Sequence, residues 1–133
     1  MDKKKILVVE DEYSINDGLT FALRKEGYEL RSAFNGKEAL EIFKESKLGE
    51  IDIILMDVMM PVMDGLEAAR YIRWSNKENA RDIPIIAMTA NAFTEDRRRV
   101  LEAGMNEHLA KPLESEVLIK TIANYCGKVD HFK

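Results

Sequence analysis

Cysteine is nearly absent from this chain of 133 residues: Cys126 stands alone, so no intramolecular disulfide can support the fold. Histidine is almost as scarce, at two residues, and with one thiol that leaves too few ligands for a zinc site. No apolar run approaches the roughly 20 residues that span a bilayer. The start is no secretory leader, because Met-Asp-Lys-Lys-Lys is followed by only four apolar residues before Glu10, where about 7 to 15 are needed. An excess of positive charge is missing too. With 20 Lys and Arg against 24 Asp and Glu, the net charge of −4 gives no general attraction to nucleic acid, whose phosphates demand several cations. What is present is a 46% share of hydrophobic residues, enough for one folded core. The chain reads as soluble and cytoplasmic, a single domain over residues 1–133 with its core from about 4 to 126.

Four short runs rich in Ile, Leu and Val punctuate it: Ile6 to Val9, Ile51 to Met56, Ile83 to Met88 and a weaker His108 to Ala110. They lack strict alternation, as strands covered on both faces do. Tyr28 to Phe34 alternates more and suits an edge strand. Between them lie stretches with helical spacing: Ile15, Leu19, Ala22 and Leu23; Ala39, Leu40 and Phe43; Leu66, Ala69 and Ile72; Val100, Leu101 and Gly104; then Val117, Leu118, Ile122, Ala123 and Tyr125. Strand therefore alternates with helix five times, which implies an α/β fold with a parallel sheet between helices. Gly27 follows the first helix, Gly36 opens the second, Asp64-Gly65 the third and Thr94 the fourth, which Gly104 ends. Trp74 to Asp82 is polar and reads as an exposed loop, and nothing after Lys128 is long enough for a second domain.

In an open parallel sheet the residues just past the carboxyl ends of the strands meet the ligand. Here those residues are Glu10-Asp11-Glu12, Asp57, Thr89-Ala90 and Lys111-Pro112. Parallel pairing brings Glu10, Asp11 and Asp57 to one cleft, with Thr89 and Lys111 on its other side. Clustered carboxylates repel unless something positive intervenes. All-oxygen donors in short supply suit Mg²⁺, which keeps several waters, whereas Ca²⁺ prefers six to eight oxygens from a dedicated loop. Acidic residues also favour a helix start through its dipole, but five polar groups after four separate strands exceed what capping asks.

The motifs Ile6-Leu-Val-Val-Glu-Asp-Glu12, Met56-Asp-Val-Met-Met-Pro-Val-Met-Asp-Gly65, Met88-Thr-Ala90 and Ala110-Lys-Pro112 together resemble the receiver domain of two-component response regulators, over residues 4 to about 126. The resemblance implies a flavodoxin-like, doubly wound five-stranded parallel sheet of order 2-1-3-4-5 with five helices. It implies Asp57 as acceptor of a phosphoryl group from a histidine kinase or histidine phosphotransfer protein. Glu10 and Asp11 match the acidic pair that holds Mg²⁺, and Met59 would add its backbone carbonyl. Thr89 matches the hydroxyl that bonds the phosphoryl group, and Lys111 the lysine that pairs with it. Glu10 stands where Asp is also common. Met59 and Asn91 flank the line of water attack and so bear on the lifetime of the phosphate. His108 takes the place where many members carry Tyr or Phe as a rotating switch residue. The first third looks like receivers of transcription factors, while Gly104 to Pro112 looks like receivers of hybrid histidine kinases.

The chemistry agrees with those roles. A carboxylate oxygen can attack phosphorus to give an acyl phosphate, and phosphoryl transfer needs positioning and charge neutralisation, which Mg²⁺ and Lys111 would supply. The expected output is a change on the surface of the fourth helix, fifth strand and fifth helix, used for a downstream protein target or self-association. The domain is expected to be no enzyme beyond its own phosphorylation and slow dephosphorylation. Competing readings are a flavin or nucleotide binder, which would need a Gly-, Ser- or Thr-rich loop where Glu-Asp-Glu stands; a Mg²⁺-dependent aspartyl-phosphate phosphatase, which would favour an acid where Met59 stands; and a pseudo-receiver that only binds partners. Four Met between Met56 and Met63 read as packing, Arg97 to Arg99 as solvated surface, Cys126 as a small buried hydrophobe, and Trp74 as either a core cap or an exposed contact.

Overall fold

The computed structural model describes residues 3–90 and 94–126. Its elements alternate throughout: β1 (Lys5–Val9), α1 (Tyr13–Lys25), β2 (Glu29–Ala33), α2 (Gly36–Glu45), β3 (Ile53–Asp57), α3 (Gly65–Trp74), β4 (Ile85–Thr89), α4 (Thr94–Glu102), β5 (Glu107–Ala110) and α5 (Ser115–Cys126). The five strands form one parallel sheet of order β2-β1-β3-β4-β5, the flavodoxin-like arrangement expected. Among the described residues no helix is long and apolar enough to cross a membrane.

Period-two alternation splits the core in two. Leu7, Val9, Ile54, Met56, Ile85 and Ala87 face α2, α3 and α4 through Phe43, Ile72 and Val100. Ile6, Val8, Ile53, Leu55, Ile86 and Met88 face α1 and α5 through Leu23, Leu118 and Ile122. Because β1, β3 and β4 are apolar on both faces, only a covered, central position suits them. β2 lies at an edge and alternates exposed with buried, as its sequence pattern requires.

Two strands start later than their apolar runs. Asp52 accepts the Lys5 amide on its side chain at 2.7 Å, in place of a carbonyl, while its own amide donates to the Lys5 carbonyl at 2.8 Å; β3 begins at Ile53 although Ile51 is buried. Pro84 has no N–H to give, and β4 begins at Ile85. Gly27 and Gly104 end α1 and α4 with φ of 96° and 94°. In each case the next residue's amide reaches back to the helix, Tyr28 to the Leu23 carbonyl and Met105 to that of Val100. Asn35 and Asp64 cap α2 and α3 by accepting the amides of Glu38 and Glu67, both at 2.8 Å.

The helical stripes need three corrections. α1 buries Asn16, Leu19, Thr20 and Leu23, with Ile15 and Ala22 only half-buried at its margin. Leu101, Val117 and Tyr125 are exposed, because α4 packs through Val100, with Ala103 just past its end, and α5 through Leu118 and Ile122. The 74–82 loop is largely exposed, yet Ala80 is buried within it. Trp74 is 71% exposed and meets Tyr71 edge-on at 5.9 Å, so it caps no core. Asn91 and the side chain of Cys126 lie outside the described residues.

Candidate functional site

Each strand of the sheet runs toward the same edge, so the residues that follow β1, β3, β4 and β5 converge there. Glu10 directly follows β1 and is fully buried; Asp57 closes β3 and Thr89 closes β4, at 3% and 4% exposure. Lys111 follows β5, and its amide donates to the Thr89 carbonyl at 2.7 Å, which joins the last two strand ends. Its ammonium lies 2.9 Å from Glu10 Oε1 and 2.9 Å from Asp57 Oδ2. One cation thus bridges two buried carboxylates from different strands.

The remaining oxygens are held as well. Asp57 Oδ1 accepts the Met59 amide at 3.1 Å, and Glu10 Oε2 accepts the Glu12 amide at 3.1 Å. Asp11 lies beside them, and one carboxylate oxygen each from Glu10, Asp11 and Asp57 fall within 4.8 Å of one another. Burial, then a hydrogen bond shared with Glu10, holds the Asp11 carboxyl above the ordinary carboxylate range. Burial pulls the Lys111 ammonium down, but its hydrogen bonds to Glu10 and Asp57 and their charges outweigh that, so it is held above the ordinary lysine value. Three carboxylates against one ammonium leave two negative charges in excess. A divalent cation with oxygen ligands fits that balance, and no sulfur or imidazole ligand is needed.

The loop that carries Met59 is anchored at both ends. Gly65 donates to the Val58 carbonyl at 3.0 Å, and Gly36 donates to the Met63 carbonyl at 3.1 Å. A Cβ at Gly65 would lie 2.3 Å from the Asp57 carbonyl oxygen, so only glycine permits this approach. Between the anchors Val62 has φ of 73° while the Met63 amide bonds the Pro61 carbonyl, a γ-turn with a positive-φ centre that strains a β-branched residue. Met59 and Val62 point to solvent, at 73% and 77% exposure.

His108 is half-buried on β5 and pairs with Ala87, while Thr89 pairs with Ala110. Leu109 packs with Met88 on the α1 and α5 side. His108 is therefore on the other face, the one shared by Ala87 and Thr89. A cavity of about 210 Å³ opens beside Thr89, between Val58, Met59 and Leu66 on one side and Arg99 and Val100 of α4 on the other.

Two residues absent from the sequence reading hold the frame. Asn16 of α1 is buried among the strand ends, and Arg73 at the end of α3 donates to the carbonyls of Ala80, Ile83 and Gly104 and to Asn106 Oδ1, at 2.7 to 3.0 Å. Burial lowers the Arg73 pKa, with Asp82 opposing. The only sequence signal for Asn16 is an amide three residues before Leu19 in an apolar stripe.

A doubly wound sheet whose strand ends carry three carboxylates, a hydroxyl and a lysine defines a class, the flavodoxin-like α/β domains with a polar cleft at the carboxyl edge of the sheet. The family model of the response regulator receiver domain matches residues 6–123, and the chain belongs to that family, a receiver of two-component phosphorelay signalling. It is 38% identical over 124 residues to hybrid signal transduction histidine kinase I of Dictyostelium discoideum, covering 92% of this chain but 7% of that protein's length. Among solved structures it is similar to the receiver domain of a sensor histidine kinase of Pseudomonas aeruginosa, which holds a magnesium ion in its active-site cleft. That match has 38% identity and a TM-score of 0.83, covering 96% of this chain and all of the other. A Vibrio cholerae chemotaxis protein matches with a TM-score of 0.85 at 31% identity, over 93% of this chain and 99% of the other.

Proposed function

We propose that this receiver takes a phosphoryl group from the phosphohistidine of a histidine kinase or phosphotransfer protein onto Asp57, with Mg²⁺ held by Glu10, Asp11, Asp57 and the Met59 carbonyl. The observation that carries the reading is the Lys111 ammonium, 2.9 Å from Asp57 Oδ2 and 2.9 Å from Glu10 Oε1, beside a carboxylate cluster with two negative charges in excess. An Asp57 oxygen forms the new bond to phosphorus as the phosphorus–nitrogen bond to the donor imidazole breaks, giving an acyl phosphate. Mg²⁺, when bound, supplies neutralisation of the phosphoryl oxygens. Lys111 pairs with the arriving oxygens in place of Asp57, and the Met59 amide keeps the acceptor carboxylate aimed.

Thr89 then bonds the phosphoryl group, and the shift is passed to the α4–β5–α5 surface through His108, which shares its face of the sheet. That surface receives a downstream protein or a second receiver. Met59, and Asn91 by the family resemblance, set how readily water reaches the phosphate. The domain performs no chemistry on other substrates, and it works in the cytoplasm, where ATP-driven phosphohistidine donors operate. Incubation with acetyl phosphate and Mg²⁺ is expected to add one phosphoryl mass to the protein and none to Asp57→Asn. Equal uptake by Asp57→Asn would overturn the assignment.

A further inference from the structure

We propose that Asn16 is a positioning residue for the cation cluster: its buried carboxamide fixes the backbone of Glu10 and so sets where the Glu10 and Asp11 carboxylates lie. The inference rests on reading that cluster as a cation site.

Asn16 is 1% exposed and occupies the first place of the inward stripe of α1, where an aliphatic side chain would serve packing alone. A buried amide is costly unless bonded, and here it is bonded three times. Its Nδ2 donates to the Glu10 carbonyl at 3.1 Å and to the Ala33 carbonyl at 3.3 Å, and its Oδ1 accepts the Ser32 hydroxyl at 2.8 Å. Two carbonyl oxygens can only accept, so the nitrogen must face them and the amide has one orientation. The Glu10 amide donates to the same Ala33 carbonyl at 3.1 Å. Both backbone groups of Glu10 are thereby tied to the end of β2, one directly and one through Asn16.

What is tied is the residue on which the cluster turns. Glu10 Oε1 meets Lys111 and Oε2 meets the Glu12 amide, so a rotation of the Glu10 backbone drags both contacts and carries Asp11 with it. Mg²⁺ demands near-octahedral geometry at short distance, whereas Ca²⁺ accepts irregular shells. Loss of the tether therefore costs Mg²⁺ more than Ca²⁺. A residue that merely docked α1 on the sheet would weaken both ions alike.

The experiment is calorimetric titration of the full chain with magnesium chloride and, separately, calcium chloride, with circular dichroism confirming the fold of each variant. Asn16→Ala is expected to weaken Mg²⁺ binding about tenfold, the lower end for loss of an outer-shell partner, and to weaken Ca²⁺ binding less. Asn16→Asp removes both donors yet adds negative charge nearby; geometry predicts weaker Mg²⁺ binding, local charge alone predicts tighter. Ser32→Ala removes the bond to Oδ1, which loosens the amide without reversing it, and is expected to shift Mg²⁺ affinity in the same direction by less. A folded Asn16→Ala with wild-type Mg²⁺ affinity, equal losses for the two ions, or tighter binding by Asn16→Asp would each overturn the inference. Should the Asn16 variants not fold, an unchanged Mg²⁺ affinity in Ser32→Ala does so. A wild type that takes up no Mg²⁺ overturns the cation reading together with this one, whereas wild-type uptake with unchanged variants overturns this one alone.

Discussion

Replacing Lys111 with Met keeps the stem and removes the charge between Glu10 and Asp57. In the wild type the ammonium lies 2.9 Å from each carboxylate, and its two attractions outweigh the one repulsion between their oxygens, which lie within 4.8 Å of one another. Without it the two carboxylates face each other with a repulsion of at least about 3.5 kcal/mol, at an effective dielectric constant of about 20. The deficit expected is about 3 to 5 kcal/mol, the size that follows when one partner of a buried pair is removed. Mg²⁺ should restore part of it by binding the folded state alone. Urea denaturation of wild type and Lys111→Met, with and without Mg²⁺, measures both effects. A variant as stable as wild type, or a deficit indifferent to Mg²⁺, would refute the reasoning.

Three further outcomes follow from the same geometry. Asp11 is held above its ordinary range, so its ionisation opposes folding; Asp11→Asn should be no less stable than wild type without metal, gain relative to it as pH rises above about 4, and lose the Mg²⁺-induced rise in Tm, all readable by thermal melts. Val62→Gly should raise the unfolding free energy measured in urea by about 1 kcal/mol, because relief of the positive-φ valine exceeds the added entropy of glycine in the unfolded chain; a lowered stability would contradict the strain. Thr89→Ala should still accept a phosphoryl group on Asp57 but lose the beryllofluoride-induced amide shifts of α4, β5 and α5, and shifts equal to the wild type's would remove Thr89 from the switch.

The strands and the site were legible in the sequence for one reason. Catalytic groups on a parallel sheet must follow the apolar runs, so Glu10, Asp57, Thr89 and Lys111 announce both the fold and their own convergence. The boundaries at Ile53 and Ile85 were not, because Asp52 takes an amide that a ladder carbonyl would take and Pro84 offers none. Leu101 and Val117 mark the limit of helical periodicity: an apolar side chain at the edge of a stripe packs only if the helix rolls toward it. Asn16 and Arg73 escaped altogether. Besides the Ser32 hydroxyl and the Asn106 side-chain amide, their partners are backbone carbonyls, such as Ala33 seventeen residues beyond Asn16 and Gly104 thirty-one residues beyond Arg73, and a carbonyl has no residue type to read.

The site is consequently two braced carboxylates on a shared backbone, joined side chain to side chain by one charge. The β1 half is fixed by the Glu10 amide and by Asn16 to the end of β2; the β3 half is fixed by the Met59 amide on Asp57 and by the glycine anchors at Gly36 and Gly65. The β1–β3 ladder and the Gly36 bond to Met63 join the two backbones, and Lys111 joins the side chains, touching both carboxylates from just past β5. Hydrogen bonds with fixed directions hold each half, and a charge on a flexible stem joins them. On the proposed reading, a phosphoryl oxygen that competes for Lys111 therefore rearranges this side-chain joint and leaves the backbone in place. The displaced lysine is bonded through its own backbone to Thr89, which places the consequence at β4 and β5 rather than at the cation-holding side.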